Sequence, residues 1–274
     1  MQISGDKQQR ERVIDTTIIA IFCVLFAVFQ FFDIKFTSDI VRSAWIKHIL
    51  SNSSATVVVI ILMKRLQIKA FQRPNRLVYF LPCIAMALVN LPFISYFNGN
   101  MSIVRNNTWD ILFFVLYCLS VGILEELVFR GILFSAFLGR FPKDKKGMFK
   151  AFVFSSVFFG LAHLSNLFSG AGIGAVLLQV VYTTLTGGLF CFAFIQTKNI
   201  LFSAGTHALY NMCGLIFEIP ARFGLGTGII FDTGTIVVMA VVDVLIAIFV
   251  FYSLYKYPEE DRKALYDALN VKKP

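Results

Sequence analysis

Two adjacent carboxylates, Glu125 and Glu126, stand inside an apolar stretch that runs from Leu112 to Leu138. A helix crosses a bilayer in about 20 apolar residues, so this stretch is long enough to span. It also carries Arg130. A charged side chain at mid-bilayer costs roughly 2.5 kcal/mol or more even on the most lenient insertion scale. Such groups persist where they face a protein interior or a wet cavity and have a partner. The stretch must therefore be surrounded by other helices, and its carboxylates mark a functional site.

Composition supports the same architecture. The chain is 57% hydrophobic and 15% charged, with a mean hydropathy of +0.74, against about 45–50% and 25% in an ordinary globular domain. The apolar residues fall in blocks of spanning length at about 13–32, 44–63, 77–97, 109–138, 149–168, 172–196, 200–218 and 233–255. We expect an all-α, polytopic membrane bundle of about eight transmembrane helices around a polar intramembrane cavity. Its divisions are an N-terminus (1–12), N-terminal helices (13–108), a core (109–218), a last helix (219–257) and a tail (258–274). The first apolar run follows Lys7, Arg10 and Arg12 but lacks a small-x-small cleavage site, which reads as a retained helix rather than a leader.

The net charge of +9 does not imply nucleic acid, because the basic residues cluster in loops beside the spans. Lys64, Arg65, Lys69, Arg73 and Arg76 separate the second span from the third, and Arg140, Lys143, Lys145, Lys146 and Lys150 the fourth from the fifth. Lys198 lies between the sixth and seventh. The positive-inside rule then predicts that both termini are cytoplasmic. Five cysteines without a C-x-x-C pair read as unpaired, buried thiols. Trp45 and Trp109 are expected at the membrane interface. Asn90 and Pro92 read as a packing kink in the third span. The tail reads as a short helix opened by Pro258, with Leu265, Ala268 and Leu269 on one side, solvated or lying on the membrane.

The intramembrane polar residues form a pattern. Neighbours on a helix point about 100° apart, so Glu125 and Glu126 cannot both face one cavity. Glu126 and Arg130 are four apart, in the order that pairs well, and are expected to neutralise each other. Glu125 is left without a local partner, on a stripe with Gly122 where a neighbouring backbone can approach. His163 closes the run Phe159-Gly-Leu-Ala-His in the fifth span, and His207 and Asn211 share a face of the seventh. Counted along the spans, His207 sits shallower than the other two, so a tilted or broken helix is needed to join them. A carboxylate with an imidazole can move a proton from water to a leaving amine. A histidine and an amide can donate to a developing oxyanion. Glu125, His163 and His207 could equally hold zinc with an open position for water. A proton relay, with Asp243 and Glu218 as further acids, is the non-enzymatic alternative. Transport would call for internal repeats, and none is visible.

Three segments, Glu125-Glu-Leu-Val-Phe-Arg130-Gly131, Phe159-Gly-Leu-Ala-His163 and His207-Ala-Leu-Tyr-Asn211, resemble the signature motifs of the CPBP family. This family holds CAAX-processing type II prenyl endopeptidases and bacteriocin-processing or self-immunity (Abi) proteins. The resemblance covers about residues 120–215 and implies an eight-helix intramembrane peptidase with a conical cavity. It implies that Glu125 activates water with help from His163, that His207 and Asn211 form the oxyanion hole, and that Glu126, Arg130 and Phe159 support them. The family has been described both as zinc-dependent and as metal-free, and the reading of Asn211 as a donor leans to no metal. The implied partners are membrane lipid and a membrane-anchored or lipidated peptide. The short basic N-terminus and minimal loops fit the plasma membrane of a prokaryote. A membrane immunity protein or a proton-coupled transporter is the competing reading.

Overall fold

The computed structural model describes residues 2–32, 34–74, 76–91, 97, 108–216 and 233–269, with the side chains of 2–12, 169 and 235 not included. Pro92 and Glu218 lie outside the described residues. Ten α-helices are labelled in chain order. They are α1 (Gln2–Phe31), α2 (Ile40–Arg65), α3 (Phe80–Val89), α4 (Thr108–Glu126), α5 (Ser135–Arg140), α6 (Lys145–Ala162), α7 (Ile173–Thr197), α8 (Ile200–Leu215), α9 (Thr233–Tyr255) and α10 (Glu259–Ala268). Among the described residues six helices are long and apolar enough to cross a membrane. The remaining two expected spans are shorter. Leu77–Val89 is a 3₁₀ turn leading into α3, and α8 has 16 residues. α8 is a central element: Ser203, Ala204, Thr206, His207 and Ala208 are buried by neighbouring helices, so it needs no long lipid-facing surface.

Adjacent helices alternate in direction. α2, α4 with its continuation α5, α7 and α9 run toward the end of the bundle that carries the basic loops, and α1, α3, α6 and α8 run away from it. α2 and α4 are parallel, and their contacts step along both: Arg42–Asp110 at 2.9 Å, Trp45 against Phe114, His48 against Tyr117, and Asn52 to Ser120 at 3.1 Å. Trp45 is thus fully buried rather than facing lipid headgroups, because its ring fills the α2–α4 seam, whereas Trp109 is exposed. No cysteine is in a disulfide; Cys23 faces outward and the others are buried or half-buried.

The fourth span is not one continuous α-helix. After Glu126 the chain adopts a π-helical segment, Leu127–Phe134, before returning to α5. Such wide turns are rare in helices and concentrate at functional sites. The fifth span breaks at His163, where α6 gives way to a 3₁₀ turn, His163–Ser169. The helix that carries His207, α8, is continuous from Ile200 to Leu215.

The basic end is closed. The loop after α2 is tied to the α7–α8 turn through Ile200 N to Ala70 O at 2.8 Å, Asn199 Nδ2 to Gln72 O at 2.6 Å, and a β-bridge between Phe71 and Asn199. Pro258 caps α10 with extended backbone just outside the helix. The helix is not a solvated tail: it packs Leu265, Tyr266 and Leu269 into the core that contains Leu138, Met148 and Phe194. Its Asp261 accepts from Arg76 at 2.6 Å, which raises the guanidinium above its ordinary value. Gln72 also donates to Ala268 O, 3.5 Å away.

Candidate active site

Helices α3, α4, α6, α7 and α8 enclose a cavity of about 260 Å³. Glu125, His163, His207 and Asn211 all line it, as do Asn90, Tyr117, Asn166 and Gln179. The helical offset between the two glutamates is resolved as geometry requires. The Glu125 side chain is 31% exposed and faces the cavity, while Glu126 is completely buried beneath it. α4 can lie close to α8 because Gly122 has no side chain there. A Cβ at that position would meet Ala204 O at 2.8 Å and Ala208 N at 3.0 Å.

Glu126 is the centre of a buried polar cluster. Arg130 lies 3.0 Å from its Oε1, the Ser203 hydroxyl 2.5 Å from Oε2, and His207 Nδ1 3.1 Å from Oε1. The expected Glu126–Arg130 pair is present, but Glu126 also holds the ring of His207. Arg130 donates to Gly187 O at 2.6 Å and lies 4.4 Å from the centroid of Phe159. Gly187 is glycine for want of room, since a Cβ would stand 2.6 Å from Phe159. The Arg130 guanidinium and the Glu126 carboxylate thus neutralise each other, which burial demands, while Arg130 Nε has no acceptor among the described residues.

The two histidines are oriented differently. His207 directs Nδ1–H to the buried carboxylate, stacks on Phe190 at 4.6 Å, and presents Nε2 to the cavity 3.8 Å from Glu125 Oε2. His163 Nδ1 lies 3.0 Å from Phe159 O, an acceptor that assigns the proton to Nδ1 and leaves Nε2 free. The cavity therefore meets a carboxylate, two imidazole Nε2 atoms and the Asn211 amide. Zinc ligation by Glu125, His163 and His207 needs the three to converge, and among the described residues no three His, Cys, Asp or Glu side chains are so grouped.

Sequence reasoning missed several partners. Ser203 shows no local signal, because its role depends on α8 meeting α4. Asn90, read as part of a packing kink, donates to Tyr210 O at 2.8 Å and lines the cavity. Asn166 donates to Gln179 at 2.8 Å on the rim. His48 is outside the cavity, behind Tyr117.

Comparison with known proteins falls on this same region. A family model described as Type II CAAX prenyl endopeptidase Rce1-like matches residues 107–213. CAAX prenyl protease 2 of Saccharomyces cerevisiae is 31% identical over 166 residues, which are 52% of this chain and 51% of that protein. The chain spans about half the length of that curated relative. No solved structure matches. All four cavity residues singled out by chemistry, and the Glu126–Arg130 pair below them, lie within the matched segment.

Proposed function

We propose that this chain, similar over its core to type II CAAX prenyl endopeptidases, is an intramembrane endopeptidase. Its substrate is a membrane-associated or lipidated protein or peptide. The observation that carries the reading is the meeting of Glu125, His163, His207 and Asn211 in one cavity above a sealed Glu126–Arg130 floor.

In this reading Glu125 takes a proton from a cavity water, whose oxygen attacks the scissile carbonyl carbon. The carbonyl π electrons move to oxygen, and the Asn211 amide and a protonated His207 Nε2 stabilise that oxyanion. Collapse re-forms the carbonyl and breaks the C–N bond. The proton held by Glu125 passes to the leaving nitrogen, giving a carboxylic acid and an amine. His163 Nε2 is free to hold the water toward Glu125. Glu126 positions His207 through Nδ1, and Arg130 and Ser203 keep Glu126 in place.

The test is cleavage of membrane-anchored and lipidated peptides by purified protein in detergent. Glu125→Ala is expected to abolish cleavage while the protein still accumulates in membranes at the normal level. Full cleavage by that variant overturns the assignment. A Glu125-independent cellular phenotype without any cleavage would favour binding or transport instead. Metal content measured on the same samples, with activity before and after chelation, decides the cofactor: activity that survives metal removal is expected.

A further inference from the structure

We infer that the cavity opens on the extracytoplasmic side of the membrane, so that the peptidase acts on an exported or outer-leaflet-anchored peptide. This rests on the peptidase reading for what is cleaved, but not for which way the cavity faces. Helix directions decide the latter. Asn90 follows the last residue of α3, Asn166 lies beyond the end of α6, Gln179 is in the second turn of α7, and Gly214 and Leu215 end α8. All of these cavity-lining residues lie at one end of the bundle. At the opposite end Leu138, Ile195, Thr197, Ile200 and Leu265 are fully buried, and Ala70 with its loop covers the α7–α8 turn.

The closed end is the basic one. It carries the clusters around Lys64–Arg76 and Arg140–Lys150, together with Lys198, Arg262 and Lys263. At the open end the connection from His163 to Gly172 contains no lysine or arginine, and the α1–α2 connection brings only Lys35, with Arg42 at the start of α2 paired to Asp110. Basic residues near spans are retained in the cytoplasm, so the open end is the one left outside. Beside the rim, Leu167, Phe168 and Ile173 are exposed, with Phe168 at 95%. Together they make an apolar lip, which suits a substrate arriving laterally while still anchored in lipid. A cytoplasmic prenylated protein would meet the closed end.

Sidedness is measured with single cysteines and a membrane-impermeant maleimide on intact cells, with the wild-type chain as the blank. Ala171→Cys, in the exposed α6–α7 connection, and Gln179→Cys, on the cavity rim, are expected to label without permeabilisation. Lys146→Cys, on the basic loop, is expected to label only after it. Labelling of Lys146→Cys in intact cells, or failure of the two rim positions to label there while labelling after permeabilisation, overturns the inference. A rim position silent even in detergent counts against an open rim and overturns it as well. None of these readouts uses catalysis, so a reversed pattern leaves the peptidase reading standing. Loss of cleavage activity with the expected pattern would sink that reading alone.

Discussion

One end of this bundle is held open by amides, hydroxyls and rings around Glu125; the other is packed shut by a loop, a short helix and a row of phenylalanines. Both ends use charged residues, but in opposite ways. At the open end the charges sit deep, with Glu126 and Arg130 at zero exposure, paired with each other and bonded to Ser203 and Gly187. At the basic end the charges sit outside, as in Arg76–Asp261, whose side chains are 36% and 21% exposed. The depth of a charge decides what its loss costs. A buried pair broken on one side leaves an uncompensated ion, whereas an exposed pair gives way to water.

Substitutions sharpen this contrast. The largest effect is expected for Glu126→Gln, which leaves Arg130 buried without its counter-charge and frees His207. We expect about 3–5 kcal/mol of destabilisation, read by thermal unfolding in detergent, together with loss of cleavage. A stable, active Glu126→Gln would break the claim that the floor of the open end depends on this charge. Asn211→Ala should lower kcat by about 10²–10³-fold, the usual cost of one oxyanion donor, with an unchanged melting temperature. Leu265→Ala should do the reverse. Removing a buried leucine costs about 2–5 kcal/mol, so the melting temperature falls while kcat in the surviving folded protein is kept. If kcat falls with it, the two ends are coupled. The smallest effect is expected for Asp261→Asn, within about 1 kcal/mol, and a larger loss would show that α10 is held by charge rather than by Leu265, Tyr266 and Leu269.

Much of the core was legible because it is local. The phase difference between Glu125 and Glu126, the four-residue spacing of Glu126 and Arg130, and the close approach at Gly122 all follow from helix geometry. The matched segment, 107–213, agrees with the three motifs read along the chain. What could not be read is tertiary. Nothing near Ser203 in sequence announces its contact with Glu126, 77 residues away. The π-helical turn after Glu126 has no composition signature, because Leu127–Phe134 would be an acceptable α-helix in isolation. Trp45 was assigned to the interface by its position near a span end, and was claimed instead by the parallel packing of α2 on α4. The tail pattern predicted an amphipathic helix, but not that its apolar side would find a protein surface.

The hydrogen bond from Gln72 to Ala268 joins positions 196 residues apart. At a synthesis rate of about 5–20 residues per second, the second of these emerges roughly 10–40 s after the first. Through that interval the loop after α2 has no partner on α10, and the apolar core it helps to cover is open to water or to a chaperone. Docking of α10 is therefore a late step in biogenesis, after every span has been made. A chain damaged in α10 would insert its helices normally and then be marked for degradation by the same surface that the intact chain hides.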